Sequence, residues 1–172
     1  MTALWVVYGC WCGVLCGYDI ISRRLPNALT LGGALVFLLV QFLLHGRVGL
    51  AAGFASASVA GVFLVVPWLL RAAGGGDVKM MFAAGAAVGW VGLLDLLVLT
   101  SLAGVVMAFG LLSTGMVSAT RLSHWVQTLF NPKYDRKAGA LALPSSADER
   151  VRMPFSMAIA IGMMVVLWGA TP

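Results

Sequence analysis

The sequence is short of charge. Only 10% of its 172 residues are Asp, Glu, Lys or Arg, and only six of those are acidic; soluble domains carry roughly a quarter. That scarcity excludes an ordinary water-soluble domain. Cysteine is nearly as sparse, with Cys10, Cys12 and Cys16 confined to the run "CWCGVLC". A C-x-C-x3-C spacing has no paired C-x2-C elbows for structural zinc, and an odd number inside a helix makes no disulfide framework. The three are read as small packing residues. His45 and His124 stand without ligand-spaced partners and are read as interfacial. No metal and no cofactor is expected. The alternating segments of ~10 residues that a membrane barrel needs are missing, as are internal repeats. No Lys or Arg precedes the first apolar run, so it reads as a retained helix rather than a cleaved secretory signal.

What remains is apolar: 61% of the residues are hydrophobic, and mean hydropathy is +0.99. Six apolar segments are expected as helices, at about residues 3 to 18, 28 to 45, 49 to 70, 78 to 90, 92 to 119 and 154 to 170. The fourth is short, ~20 Å at 1.5 Å per residue, and needs the glycines before it or surrounding protein to cross. The fold expected is an all-α membrane protein, a polytopic bundle of about six transmembrane helices forming a single domain over residues 1 to 172.

Basic residues orient such a bundle. Arg23, Arg24, Arg71, Lys79, Arg121, Lys133, Arg136, Lys137, Arg150 and Arg152 lie in or beside the odd-numbered connections, leaving Arg47 alone on the other side. Both termini are therefore expected outside, with the odd connections in the cytoplasm. The net charge of +5 is assigned to this topology and to the lipid surface rather than to nucleic acid. A cytoplasmic loop is expected at about residues 120 to 153. In it "RLSHWVQTLFNP" places Leu122, Trp125, Val126 and Leu129 on one helical face, as an interfacial helix ending before Pro132.

Ionisable groups at membrane depth need a reason. Asp135, Asp148 and Glu149 fall in the loop, which leaves Asp19, Asp77 and Asp95. Asp19 precedes Arg23 at the cytoplasmic end of the first helix, and Asp77 precedes Lys79 at the cytoplasmic start of the fourth. Asp95 follows the short outer connection and belongs to the opposite side. Gly9, Cys12, Gly13 and Cys16 form a small-residue stripe leading to Asp19, while Ala84, Gly85 and Val88 share a face with Asp77. Gly53, Ala57 and Gly61 offer a packing partner. Both aspartates are expected to point into the bundle, where two neighbouring carboxylates share one proton and suit hydrolysis. One takes a proton from water while the other polarises a carbonyl. For either residue alone, an interfacial ion pair with the nearby Arg or Lys is the simpler account. Gly74, Gly75 and Gly76 permit close approach of another chain or serve as a plain linker, and Asp77 could cap the helix that follows.

The segments "GGGDVKMMFAAGAAVG", "DIISRRLPNALT" and "RMPFSMAIAIG" together resemble the type IV prepilin peptidases. Their G-x-G-D motif is followed by a Lys, their other catalytic Asp by basic residues and a Pro-Asn pair, and their last helix opens on a proline and an aromatic. The resemblance implies a membrane-embedded aspartic endopeptidase in the bacterial inner membrane that removes the basic leader of prepilins or pseudopilins on the cytoplasmic side. It implies Asp19 and Asp77 as the catalytic pair, with Gly74, Gly75, Gly76, Lys79, Pro26 and Asn27 supporting the site or the substrate. Only about ten residues separate the first two helices, with no C-x2-C pairs between them. The chain therefore looks like the compact peptidase-only type of tight-adherence (Flp, type IVb) systems, without methyl transfer. Lys79 is open to three roles: charge balance in the pair, contact with an acidic substrate residue, or snorkelling to lipid phosphates. A proton-coupled transporter or a non-catalytic pilus-assembly subunit are the rival readings.

Overall fold

A computed structural model describes residues 2–22, 25–69, 73–113 and 155–169 of the chain. Among these residues all regular structure is helical: α1 (Thr2–Ser22), α2 (Asn27–Leu69), α3 (Gly75–Val88), α4 (Leu93–Ser113) and α5 (Phe155–Gly169). The interfacial helix and loop expected at 120 to 153 lie outside the described residues, as do Arg23, Arg24 and Arg71.

The 43 residues of α2 do not form one straight rod, because Gly46 adopts φ 65° and ψ −152°. A side chain at that φ clashes with its own backbone, so glycine suits the break. The chain doubles back there. Gly49 closes onto the Gln41 carbonyl, and Gly53 lies beside Gln41 and Leu38. The two arms of α2 thus match the second and third apolar segments, and the described residues contain six helical rods. Two boundaries differ from expectation. Helix α1 continues to Ser22, and α3 starts at Gly75, so Asp77 lies inside its first turn.

Helix α3 occupies the centre. Met80, Met81, Ala83, Ala84 and Ala86 are fully buried, since alanine and glycine on every side let neighbouring backbones close in. Both arms of α2 enclose it. Gly85 fits against Ala57 and Ala60 with no room for a Cβ, Gly61 meets Phe82, and Gln41 donates to the Ala86 and Ala87 carbonyls at 3.3 and 3.1 Å. The far end of α3 closes at Gly89, φ 73°, whose carbonyl accepts from Ser56 Oγ at 2.9 Å.

Helix α5 runs antiparallel to α1, pairing Trp5 with Trp168, Gly9 with Met164, and Cys12 with Met163. It runs antiparallel to α4 as well, through Gly92 and Val166, Thr100 and Gly162, and Gly104 and Phe155. Helix α5 also packs on α3. Helix α1 holds the first arm of α2 through Trp11 Nε1, which donates to the Leu29 carbonyl at 2.9 Å, and through Tyr8 and Trp11, edge-on to Phe37. The small-residue stripe of α1 is only partly an interface. Gly9 and Cys12 face α5, but a Cβ on Gly13 would meet nothing within 4 Å. Val88 is likewise half-buried rather than in the core.

Trp5–Ser22 and Asn27–Leu69 are long and apolar enough to cross a membrane, and Leu93–Met107 and Phe155–Gly169 are shorter apolar helices. The exposed surface is apolar too. Leu35, Leu43, Val62 and Leu94 each expose 65 to 73% of their area, a density of large apolar side chains that suits lipid and not water. The chain divides into two compact units, Met1–Val105 with Pro154–Pro172, and Val106–Met153.

Candidate active site

The site is assembled at the end of the bundle where α1 stops and α2, α3 and α5 start. Helix α3 begins on a reciprocal pair of hydrogen bonds. Gly74, its N-cap, is extended (φ −82°, ψ 152°), and its carbonyl accepts from the Asp77 amide at 3.0 Å. Asp77, three residues into the helix, reaches back so that Oδ2 accepts from the Gly74 amide at 2.9 Å. The carboxylate therefore caps the helix from its third position instead of preceding it, among first-turn amides whose dipoles favour a negative charge. At 8% exposure Asp77 is a core residue, not a solvated surface group.

The glycine triplet is boxed in. A Cβ on Gly74 would come within 3.2 Å of Asp77 Oδ2. One on Gly75 would meet the Trp68 indole nitrogen at 3.4 Å, and one on Gly76 would sit 2.9 Å from Leu25 Cβ. Trp68 comes from the last turn of α2 and Leu25 from just before its first, so the triplet lies between the two ends of one long helix.

Pro26 opens α2. Its carbonyl accepts from the Leu29 and Thr30 amides, both at 3.1 Å, and from Thr30 Oγ1 at 3.3 Å. Asn27 then faces α3, where its Oδ1 accepts from Lys79 Nζ at 2.7 Å. The two segments singled out from the sequence are thereby brought together, directly through Lys79 and Asn27 and by packing through Gly76 and Leu25.

Asp19 lies three residues before the end of α1 and is half-buried. Its Oδ2 accepts from Ser156 Oγ at 2.5 Å, and Ser156, the second residue of α5, is fully buried. Asp19 is thus held by α5 and Asp77 by the cap of α3, and α5 packs on both α1 and α3. Asp95 sits beyond the Gly89–Gly92 turn in the first turn of α4, exposed, at the other end of α3. Among the described residues no group of three or more His, Cys, Asp or Glu is placed to hold a metal.

Sequence reasoning missed Ser156, Leu25 and Trp68. A serine at a helix start is usually read as a cap, and a leucine or tryptophan in an apolar run carries no local mark of the helix phase that turns it toward Gly75 or Gly76.

A family description, the type IV leader peptidase family, matches residues 6–109, more than half of the chain. The chain belongs to this family. No curated protein and no solved structure matches it. The matched span contains Asp19, Pro26, Asn27, Gly74, Gly75, Gly76, Asp77 and Lys79, and stops short of Ser156. As a type IV leader peptidase family member the chain is a peptidase of a membrane-embedded family whose substrates are prepilins. Its apolar helices are compatible with insertion.

Proposed function

We propose that this chain is an aspartic endopeptidase of the bacterial inner membrane, multi-pass, which removes the basic leader of a type IV prepilin, of the Flp (type IVb) class, at the cytoplasmic face. Asp19 and Asp77 are its catalytic pair. The observation that carries this reading is the bond between Lys79 and Asn27 at 2.7 Å. It ties the segment following Asp19 to the helix turn bearing Asp77, so two carboxylates far apart in the chain belong to one end of the bundle.

Each carboxylate is held by a donor, Ser156 Oγ for Asp19 and the Gly74 amide for Asp77. Held side chains cost less to orient when the substrate arrives. In the reaction, water adds to the scissile carbonyl carbon as one carboxylate takes its proton and the other, protonated, donates to the carbonyl oxygen. Collapse of the tetrahedral diol breaks the C–N bond, and a proton passes to the leaving amine. The scissile segment has to be unwound from its helix first.

The connection from Ser22 to Asn27 is too short to hold an added domain. This supports the peptidase-only reading, without methyl transfer. Leader removal from a co-expressed prepilin tests the proposal. Asp19→Asn and Asp77→Asn should each accumulate at the wild-type level in the membrane yet slow cleavage by about 10²- to 10⁴-fold, the range for loss of a general acid or base. Normal processing by both variants would leave a transporter or an assembly subunit as the better account.

A further inference from the structure

We propose that Ser156 is a positioning residue for Asp19, so that the last helix, outside the family-matched span, completes the peptidase site. The inference rests on Asp19 being catalytic. It assigns a role to a side chain that lies beyond residues 6–109 and that the resemblance of "RMPFSMAIAIG", carried by its proline and aromatic, leaves without one.

Three observations carry it. Ser156 is fully buried, its Oγ donates to Asp19 Oδ2 at 2.5 Å, and the partners lie 137 residues apart in the chain. A buried hydroxyl without a partner is costly, so this pairing satisfies the serine and the carboxylate together. The second observation is the register. Trp5 with Trp168, Gly9 with Met164, Cys12 with Met163 and Asp19 with Ser156 form one continuous antiparallel series along α1 and α5. Sliding α5 by one residue rotates it by about 100° and takes Ser156 off Asp19. The third is on the far side of the same helix, where Gly162 lies against the Thr100 backbone without space for a Cβ and Phe155 covers Gly104. Helix α5 is clamped between α1 and α4, and Ser156 cannot swing away cheaply.

The hydroxyl suits both protonation states that the reaction requires of Asp19. Toward an ionised carboxylate it donates. Toward the protonated acid it accepts, because a hydroxyl has lone pairs as well as a proton. It can hold Oδ2 through the whole cycle, leaving Oδ1, which makes no hydrogen bond among the described residues, to meet water or the peptide.

The test is prepilin cleavage kinetics in detergent with four variants of the full chain. Ser156→Ala removes the hydroxyl at almost no cost in volume. It should lower kcat about 10- to 100-fold, the loss expected from a loosened reacting group, with KM and the thermal midpoint unchanged. Ser156→Thr and Ser156→Val add the same bulk, but only Thr keeps the hydroxyl, so Thr should exceed Val by about tenfold in kcat, within that same range. Wild-type turnover in Ser156→Ala overturns the proposal, as does equal turnover in Thr and Val or a loss that follows the thermal midpoint. Asp19→Asn is the reference. If it cleaves normally, the assignment of Asp19 to the catalytic pair fails; if it is inactive while Ser156→Ala is normal, only the role of Ser156 falls.

Discussion

Lys79 Nζ and Asn27 Oδ1 meet at 2.7 Å across 52 residues of chain, joining the start of α2 to α3 two residues beyond Asp77. Beyond the three roles open to Lys79, the structure shows a fourth, a tie between the two motif-bearing segments. The bond is exposed, so its contribution to stability is small, at most about 1 kcal/mol. Its contribution to activity should be larger. Lys79→Ala and Asn27→Ala are expected to lower leader cleavage by about tenfold with little change in melting, and Asn27→Asp, which restores an acceptor, should retain most activity. Cleavage rate set against thermal midpoint in the same preparations checks this.

Gly76 and Leu25 set a second test. A Cβ at residue 76 would lie 2.9 Å from Leu25 Cβ, closer than real side chains come, so Gly76→Ala must push the α1–α2 connection away from Asp77. Overpacking costs typically 1–3 kcal/mol. Gly76→Ala should be destabilised by about that much, and the double change with Leu25→Ala should recover part of both stability and cleavage. Gly75→Ala, whose Cβ meets Trp68 at an ordinary 3.4 Å, should melt near the wild type.

The aspartates and the glycine triplet were legible because their chemistry is local. A carboxylate beside an apolar run, or three glycines before one, is visible without knowing what lies across the bundle. Counting connections puts Asp95 apart from Asp19 and Asp77, and in the structure it lies at the other end of α3. The stripe on α1 was misread at Gly13, because helical periodicity says which residues share a face but not how wide the neighbour on that face is.

Gly85 and Gly13 make a contrast in stability alone. Gly85 has Ala60 Cβ, the Ser56 carbonyl and Ala57 Cα all within 2.9 Å of a would-be Cβ, while Gly13 faces open space. Gly85→Ala should cost about 1–3 kcal/mol and lower the membrane level of the protein. Gly13→Ala should be neutral or slightly stabilising, since alanine is the better helix former. Thermal melting in detergent separates the two.

Gly89 and Ser56 close the far end of α3. Gly89→Ala places a side chain at φ 73°, and Ser56→Ala leaves the buried Gly89 carbonyl without its donor at 2.9 Å. Each should cost about 1–3 kcal/mol. Because both lie away from Asp77, turnover per folded molecule should stay at the wild-type value, which quantified cleavage after removal of aggregated protein would show.

The sequence by itself determined the helical rods, their apolar surfaces, and the acidic, glycine and Pro-Asn segments, since hydropathy and local chemistry are properties of a few adjacent residues. Only the tertiary structure decided the left-handed geometry by which Gly46 turns the chain, that Lys79 reaches Asn27, and that Ser156 holds Asp19. The physical reason is helix phase and register. A step of one residue turns a side chain by about 100°, so the partner across a bundle is chosen by the packing of every helix at once.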